Sequence, residues 1–148
     1  MTAPAGVVDG GRVRGIGVDA VDVARFRTVL ERRPALAHRL FTDAERAYAQ
    51  SARDPGPRLA ARFAAKEAVL KALGVGIGAT GFRDVEVVRS DDGAPRLALA
   101  GRAAALAAAR GVRWWHVSLT HTDLVAVASV VAEGDPVAAG DQGDGGDP

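Results

Sequence analysis

The stretch Arg62-Phe63-Ala64-Ala65-Lys66-Glu67-Ala68-Val69-Leu70-Lys71-Ala72-Leu73-Gly74-Val75-Gly76-Ile77-Gly78 reads as an amphipathic helix that runs into a glycine-rich loop. Leu59, Phe63, Leu70 and Leu73 recur at helical spacing and define an apolar face. At about 100° per residue, Lys66 and Glu67 fall within or beside that apolar arc. Charges placed there need a partner or a task. Lys71 stands one turn after Glu67, where the two can pair. Arg62 and Lys66 are also one turn apart but carry the same sign, which an anion lying against them would explain. The plain structural reading is a core helix with a Glu67–Lys71 surface pair and a Lys66 whose stem lies along apolar surface. Gly74, Gly76 and Gly78 stop the helix and leave a backbone that a ligand can approach. This glycine pattern neither follows a strand nor opens a helix, so it is neither a dinucleotide fingerprint nor a phosphate-binding P-loop.

Composition narrows the surroundings of that helix. The chain has 148 residues, 48% hydrophobic and 25% charged, with a net charge of +1. That suits one soluble domain with a real core. The near-neutral balance gives no reason to expect a nucleic-acid partner. The absence of cysteine excludes disulfides, thiolate metal sites and thiol catalysis. No apolar run is long enough to span a bilayer, and residues 1–11 lack a signal-peptide core. A cytoplasmic protein without membrane contact is expected. Residues 1–11 and the Gly/Asp-rich residues 134–148 are expected to be disordered, leaving a single domain over 12–133.

Along that domain, Val13 to Val21 reads as a strand in which Gly15 and Gly17 admit close approach of another backbone. Asp19 ends its apolar run, either as a helix-entry residue or as an oxygen ligand for Mg²⁺. Asp22 can cap a helix to about Arg33 that buries Val23, Phe26 and Leu30. Arg25, Arg27, Arg32 and Arg33 make its outer face basic, suited to solvent or to an acidic partner. Pro34 ends it or starts a short helix. Thr42-Asp43-Ala44-Glu45 is a capping box opening a helix to about Ser51, followed by a loop over Arg53 to Arg58. Asp84 to Arg89 and Pro95 to Ala100 form a hairpin around Ser90-Asp91-Asp92-Gly93. An alanine-rich helix ends at Gly111, and two strands follow, Trp114 to Thr120 and Leu124 to Ala132, with His121-Thr122-Asp123 as their tight connection. His116, Ser118 and Thr120 share one face of the first strand, which faces solvent or lines a site.

Three of these segments together resemble the holo-acyl-carrier-protein synthases, the short type of 4′-phosphopantetheinyl transferase. They are Gly15-Ile16-Gly17-Val18-Asp19 with Arg25, Arg62 to Gly78, and His116-Val117-Ser118-Leu119-Thr120-His121-Thr122. The likeness covers about residues 13–132; the N-terminal extension and the acidic tail depart from it without touching a motif. The resemblance implies an α+β fold, a small antiparallel sheet with helices, assembled as a homotrimer with active sites at subunit interfaces. It implies transfer of 4′-phosphopantetheine from coenzyme A to a serine of apo acyl carrier protein, releasing adenosine 3′,5′-bisphosphate in support of fatty acid biosynthesis. By the same resemblance, Asp19 and Glu67 match ligands of Mg²⁺, with Mn²⁺ as the alternative metal. Arg62 and His116 match positions near the 3′-phosphate of coenzyme A, and Lys66 and Lys71 positions near its phosphates. Gly74, Gly76 and Thr120 join this coenzyme A set, and Arg25 matches a carrier-docking arginine.

The chemistry suits those residues. Phosphoryl transfer asks the protein mainly to position groups and neutralise charge. Glu67, Lys71 and Asp19 are the expected catalytic residues: Lys71 as donor to the developing charge, and Glu67, Asp19 or solvent as acceptor of the serine proton. Two other readings stand beside this one. The same chemistry could serve polyketide or other specialised carrier domains, and a non-catalytic coenzyme A-binding module would need no carboxylate pair.

Overall fold

The structure, a computed structural model, describes residues 11–136. Its elements run β1 (Val13–Asp22), α1 (Val23–Arg32), α2 (Ala35–Leu40), α3 (Asp43–Gln50), α4 (Gly56–Ala72), β2 (Val85–Arg89), β3 (Pro95–Leu99), α5 (Gly101–Ala109), β4 (Trp114–His121) and β5 (Val125–Glu133). The class is α+β, as expected. Strands β1, β5 and β4 form one antiparallel sheet in that order, and β2 and β3 form a separate hairpin.

Helix α4 lies against the three-stranded sheet so closely that only glycine fits. A Cβ on Gly15 would stand 1.8 Å from the Ala72 carbonyl oxygen, and one on Gly17 1.9 Å from that of Ala68. This contact also explains why α4 is built from alanine. Ala60, Ala64, Ala65 and Ala68 are fully buried, and larger side chains would force helix and sheet apart. The expected apolar stripe is therefore only part of the buried surface: Leu70 and Leu73 are buried, but Leu59 and Phe63 are half-buried. α4 is covered on most sides, which accounts for burial of Arg62 and Lys66 along with the alanines.

Local signals hold where chemistry dictates them. Asp22 accepts from the Arg25 amide at 2.7 Å and caps α1. Thr42 and Glu45 form both bonds of the capping box. Gly74 takes φ +69° while its amide bonds to the Lys71 carbonyl and the Val75 amide to that of Leu70, both at 3.0 Å. That is a Schellman stop, so the first task of Gly74 is to end α4. The expected loop over Arg53 to Arg58 is shorter, because α4 already begins at Gly56. A proline in the first turn lacks an N–H that would have no acceptor there anyway.

The expectations for residues 1–10 and 137–148 lie outside the described residues. The Gly134 amide bonds to the Arg12 carbonyl at 2.8 Å, and Asp135 pairs with Arg113 at 2.8 Å. Among the described residues no helix is long and apolar enough to cross a membrane.

Candidate active site

Charged groups gather on two sides of α4, and a buried ion pair lies between them. On the first side, close packing of β1 brings Asp19 to the helix. Lys71 Nζ donates to Asp19 Oδ1 at 3.1 Å and to the Val18 carbonyl at 3.0 Å. The expected Glu67–Lys71 ion pair is thus replaced by Lys71–Asp19: β1 offers a carboxylate and a carbonyl together. Asp19 Oδ2 is buried and, among the described residues, has no hydrogen-bond partner. Glu67 has its pKa pushed up to about 7, chiefly by burial and then by the Asp19 carboxylate facing it; Lys71 acts in the opposite sense. Two carboxylates thus share one exposed ammonium. Their hard oxygens, one of them buried without a partner, fit a divalent cation such as Mg²⁺. Among the described residues no cluster of three or more His, Cys, Asp and Glu side chains is placed to hold a metal. Further coordination would have to come from water or substrate oxygens.

Glu67 also forms part of the wall of an apolar cleft of about 600 Å³ between α1, α2 and the glycine-rich loop. Phe26 stacks on Phe63 with centroids 5.0 Å apart, and Phe63 meets Phe82 at 5.6 Å. Arg25 lines this cleft. Of the other basic residues on α1, Arg27 is held by Asp54 at 2.6 Å. Gly76 borders a smaller pocket together with Glu67, Lys71 and Ile77. So Asp19, Glu67, Lys71, Gly76 and Arg25 occupy one region.

Arg62 lies elsewhere. Five residues before Glu67, it projects about 140° away around the helix. It joins Tyr48, Arg58, Arg89 and His121 in a cleft of about 270 Å³. The guanidinium carbons of Arg58, Arg62 and Arg89 stand 4.3, 4.2 and 4.9 Å from the Tyr48 ring centre. Arg62 is only 5% exposed, and burial pulls its pKa down. Among the described residues its Nε has no partner, and its one hydrogen bond is a long 3.5 Å contact to the Arg58 carbonyl. Among the described residues no carboxylate forms an ion pair with any of these three arginines. Three cations without a counter-anion make a site for an anionic ligand.

Three expected ligand contacts are not brought to either cluster. Lys66 is 1% exposed and spends its three donors on Glu45 Oε1 at 2.7 Å, the Phe82 carbonyl at 2.9 Å and the Val85 carbonyl. Its charge is neutralised by Glu45, so it braces α3 against α4 instead of meeting a phosphate. His116 pairs with Glu133 at 2.5 Å on the outer sheet face, and Thr120 lies on that same exposed face. The histidine beside Arg62 is His121, which the family motif includes but to which the resemblance assigns no ligand role. The sequence motifs do not single out Tyr48, Arg58 or Arg89 either. One signal was available: Tyr48 follows the capping-box Glu45 by three residues and shares its helix face.

Residues 15–126 match the 4′-phosphopantetheinyl transferase superfamily. The chain is 53% identical over 123 residues to the holo-[acyl-carrier-protein] synthase of Clavibacter michiganensis, covering 83% of this chain and 98% of the relative. The fold is similar to that of the Bacillus anthracis holo-(acyl-carrier-protein) synthase in complex with CoA (3′,5′-ADP), at TM-score 0.69 and 34% identity over 82% of this chain and 97% of that one. It is also similar to the Helicobacter pylori holo-[acyl-carrier-protein] synthase in complex with coenzyme A, at TM-score 0.71 and 29% identity over 80% of this chain and 99% of that one.

Proposed function

We infer the function from a premise of kinship: the chain belongs to the 4′-phosphopantetheinyl transferase superfamily. It is an enzyme that transfers 4′-phosphopantetheine from coenzyme A to a serine hydroxyl of an apo acyl carrier protein, a holo-[acyl-carrier-protein] synthase. The serine Oγ bonds to the phosphorus that carries the pantetheine arm. The bond from that phosphorus to the bridging oxygen breaks, adenosine 3′,5′-bisphosphate leaves with the electron pair, and the serine gives up its proton.

The observation that carries this reading is the Asp19–Glu67 pair with its unpartnered oxygen, beside the Lys71 ammonium. Mg²⁺, or Mn²⁺ in its place, would be held by Asp19 and Glu67 and would neutralise charge on the pyrophosphate. Lys71 is exposed enough to swing toward the leaving oxygen and donate to it. Glu67 is our first choice to accept the serine proton. The arginine cleft takes the nucleotide phosphates of coenzyme A, with His121 in the place expected of His116. The backbone at Gly74 and Gly76 flanks the path between α4 and the ligand.

Because Glu67 and Arg62 face different sides of α4, a single subunit presents two half-sites. The outer sheet face offers the means to join them. Ile16 and Val18 are 71% and 59% exposed there, an apolar surface suited to subunit contact. We place this face in the interface of a homotrimer, with the carboxylates of one subunit meeting the arginines of its neighbour. Arg25 and the apolar cleft beside Glu67 dock the carrier, whose serine then reaches the carboxylate pair. The physiological carrier in this reading is that of cytoplasmic fatty acid synthesis.

Intact-mass spectrometry of apo acyl carrier protein incubated with the enzyme, coenzyme A and Mg²⁺ tests the reading. The expected result is a gain of about 340 Da that EDTA abolishes. No gain on this or any other apo carrier domain, with coenzyme A still bound, would overturn it in favour of a binding module.

A further inference from the structure

We propose that Tyr48 is the positioning residue of the arginine cleft, a neutral ring that gathers three guanidinium groups and leaves their charge available to an anion. This rests on the reading that the cleft takes the phosphates of coenzyme A. Clustered arginines are ordinarily held by carboxylates, which cancel the charge they orient. Here the common neighbour is the Tyr48 ring, within 4.9 Å of all three guanidinium carbons. The face of an aromatic ring attracts a guanidinium without neutralising it.

Polar atoms of Tyr48 fix the cluster further. Its carbonyl accepts from Arg58 Nη1 at 2.9 Å, and its hydroxyl accepts from Arg89 Nη1. Arg89 Nε is tied to the Gly93 carbonyl at 3.1 Å, so the β2–β3 hairpin is drawn into the same assembly. Arg62 alone is steered mainly by stacking, since its Nε has no partner among the described residues.

The ring in turn stands on a rigid base. Glu45 lies three residues before Tyr48 on α3, and Lys66 four residues after Arg62 on α4. The two helices therefore meet in successive rungs: a buried ion pair, Glu45–Lys66 at 2.7 Å, and a stacked pair, Tyr48–Arg62 at 4.2 Å. Glu45 Oε2 also accepts from the Val87 amide at 3.1 Å, which fixes the hairpin that carries Arg89. The completed ion pair sets the geometry, and the tyrosine hands that geometry to the three cations.

Calorimetric binding of adenosine 3′,5′-bisphosphate to the full chain and to Tyr48→Leu and Tyr48→Phe tests this. Tyr48→Leu should bind about tenfold more weakly, with a shallower dependence on salt, and Tyr48→Phe should recover most of the loss. In turnover, Tyr48→Leu should raise KM for coenzyme A and leave KM for the carrier protein unchanged. Undiminished binding by Tyr48→Leu, or Tyr48→Phe as weak as Tyr48→Leu, would overturn the proposal. A second measurement needs no variant: the Arg58 and Arg62 Nε–H resonances of the unsubstituted protein should be shifted upfield by the ring and should move on titration with bisphosphate. Random-coil positions would contradict the stacked arrangement. Tyr48-dependent bisphosphate binding without transfer would sink the transferase reading and leave this one standing. Transfer with Tyr48-independent binding would do the reverse, and no bisphosphate binding by the unsubstituted protein would overturn both.

Discussion

On one side of α4, Asp19 and Glu67 set two carboxylates beside one ammonium; on the other, Tyr48 sets three guanidinium groups beside no carboxylate. Each cluster is short of counter-charge, in opposite senses. Between them lies Glu45–Lys66, where one charge meets one charge and every Lys66 donor is used. The difference separates structure from function along a single helix. The complete pair is buried and braces the fold, while the incomplete clusters line openings and need ligands to finish them. Like-charged groups held together in a folded protein raise its free energy, so their retention points to what binds there.

The largest effect should come from the carboxylate side. Glu67→Gln keeps shape but removes one charge of the proposed metal site, and kcat should fall by at least about 10³-fold with the fold intact by circular dichroism. A wild-type rate would remove Glu67 from the reaction.

Next comes the completed pair. Lys66→Met leaves Glu45 buried without its cation and should cost about 3–5 kcal/mol in denaturant unfolding. Adding Glu45→Gln should return a large part of that loss, because the glutamine oxygen can still accept from the Val87 amide. No recovery in the double variant would mean that the pair is not a closed structural unit.

A smaller effect is expected at the docking cleft. Arg25→Glu should raise KM for carrier protein roughly tenfold and leave that for coenzyme A alone. Arg27→Glu should act first on stability, since Arg27 is already engaged by Asp54. Equal changes in both KM values for Arg25→Glu would defeat the docking role.

The smallest effect is on stability against pH. Glu67 has its pKa raised from 4.5 to about 7 in the fold, so the folded state holds this proton more tightly than the unfolded chain does. Its contribution is therefore most favourable below 4.5 and is lost as pH rises through 7. In EDTA, the wild type should lose stability relative to Glu67→Gln between pH 5 and pH 8, roughly the window set by those two values. Parallel profiles would show that the fold does not raise the Glu67 pKa.

Much of this was legible in the sequence where the signal is local. The capping box, the Gly74 and Gly111 stops and the Asp22 cap depend on neighbours within one turn. Gly15 and Gly17 announced a close backbone approach, and α4 supplied it. Asp19, Glu67 and Lys71 were readable as one cluster through family resemblance, although the partner of Lys71 was not. Lys66 and His116 show the limit. A lysine one turn from Arg62 reads the same whether its ammonium meets a phosphate or a buried glutamate 21 residues earlier. Which of two nearby histidines faces the arginines depends on where β4 ends and turns. The Tyr48 cluster joins α3, α4 and the β2–β3 hairpin, and no spacing in the chain encodes that meeting.

In the homotrimer proposed above, the two unfinished clusters would complete each other across subunits. Mixing Glu67→Gln and Arg62→Ala proteins, each inactive alone, under conditions that allow subunit exchange tests it most directly. Restoration of about a quarter of the wild-type rate at equal proportions is predicted, since some sites then pair an intact Glu67 with a neighbour's intact Arg62. A mixture that stays inactive, with exchange verified by mass spectrometry, would place both clusters' work within one subunit and contradict the account.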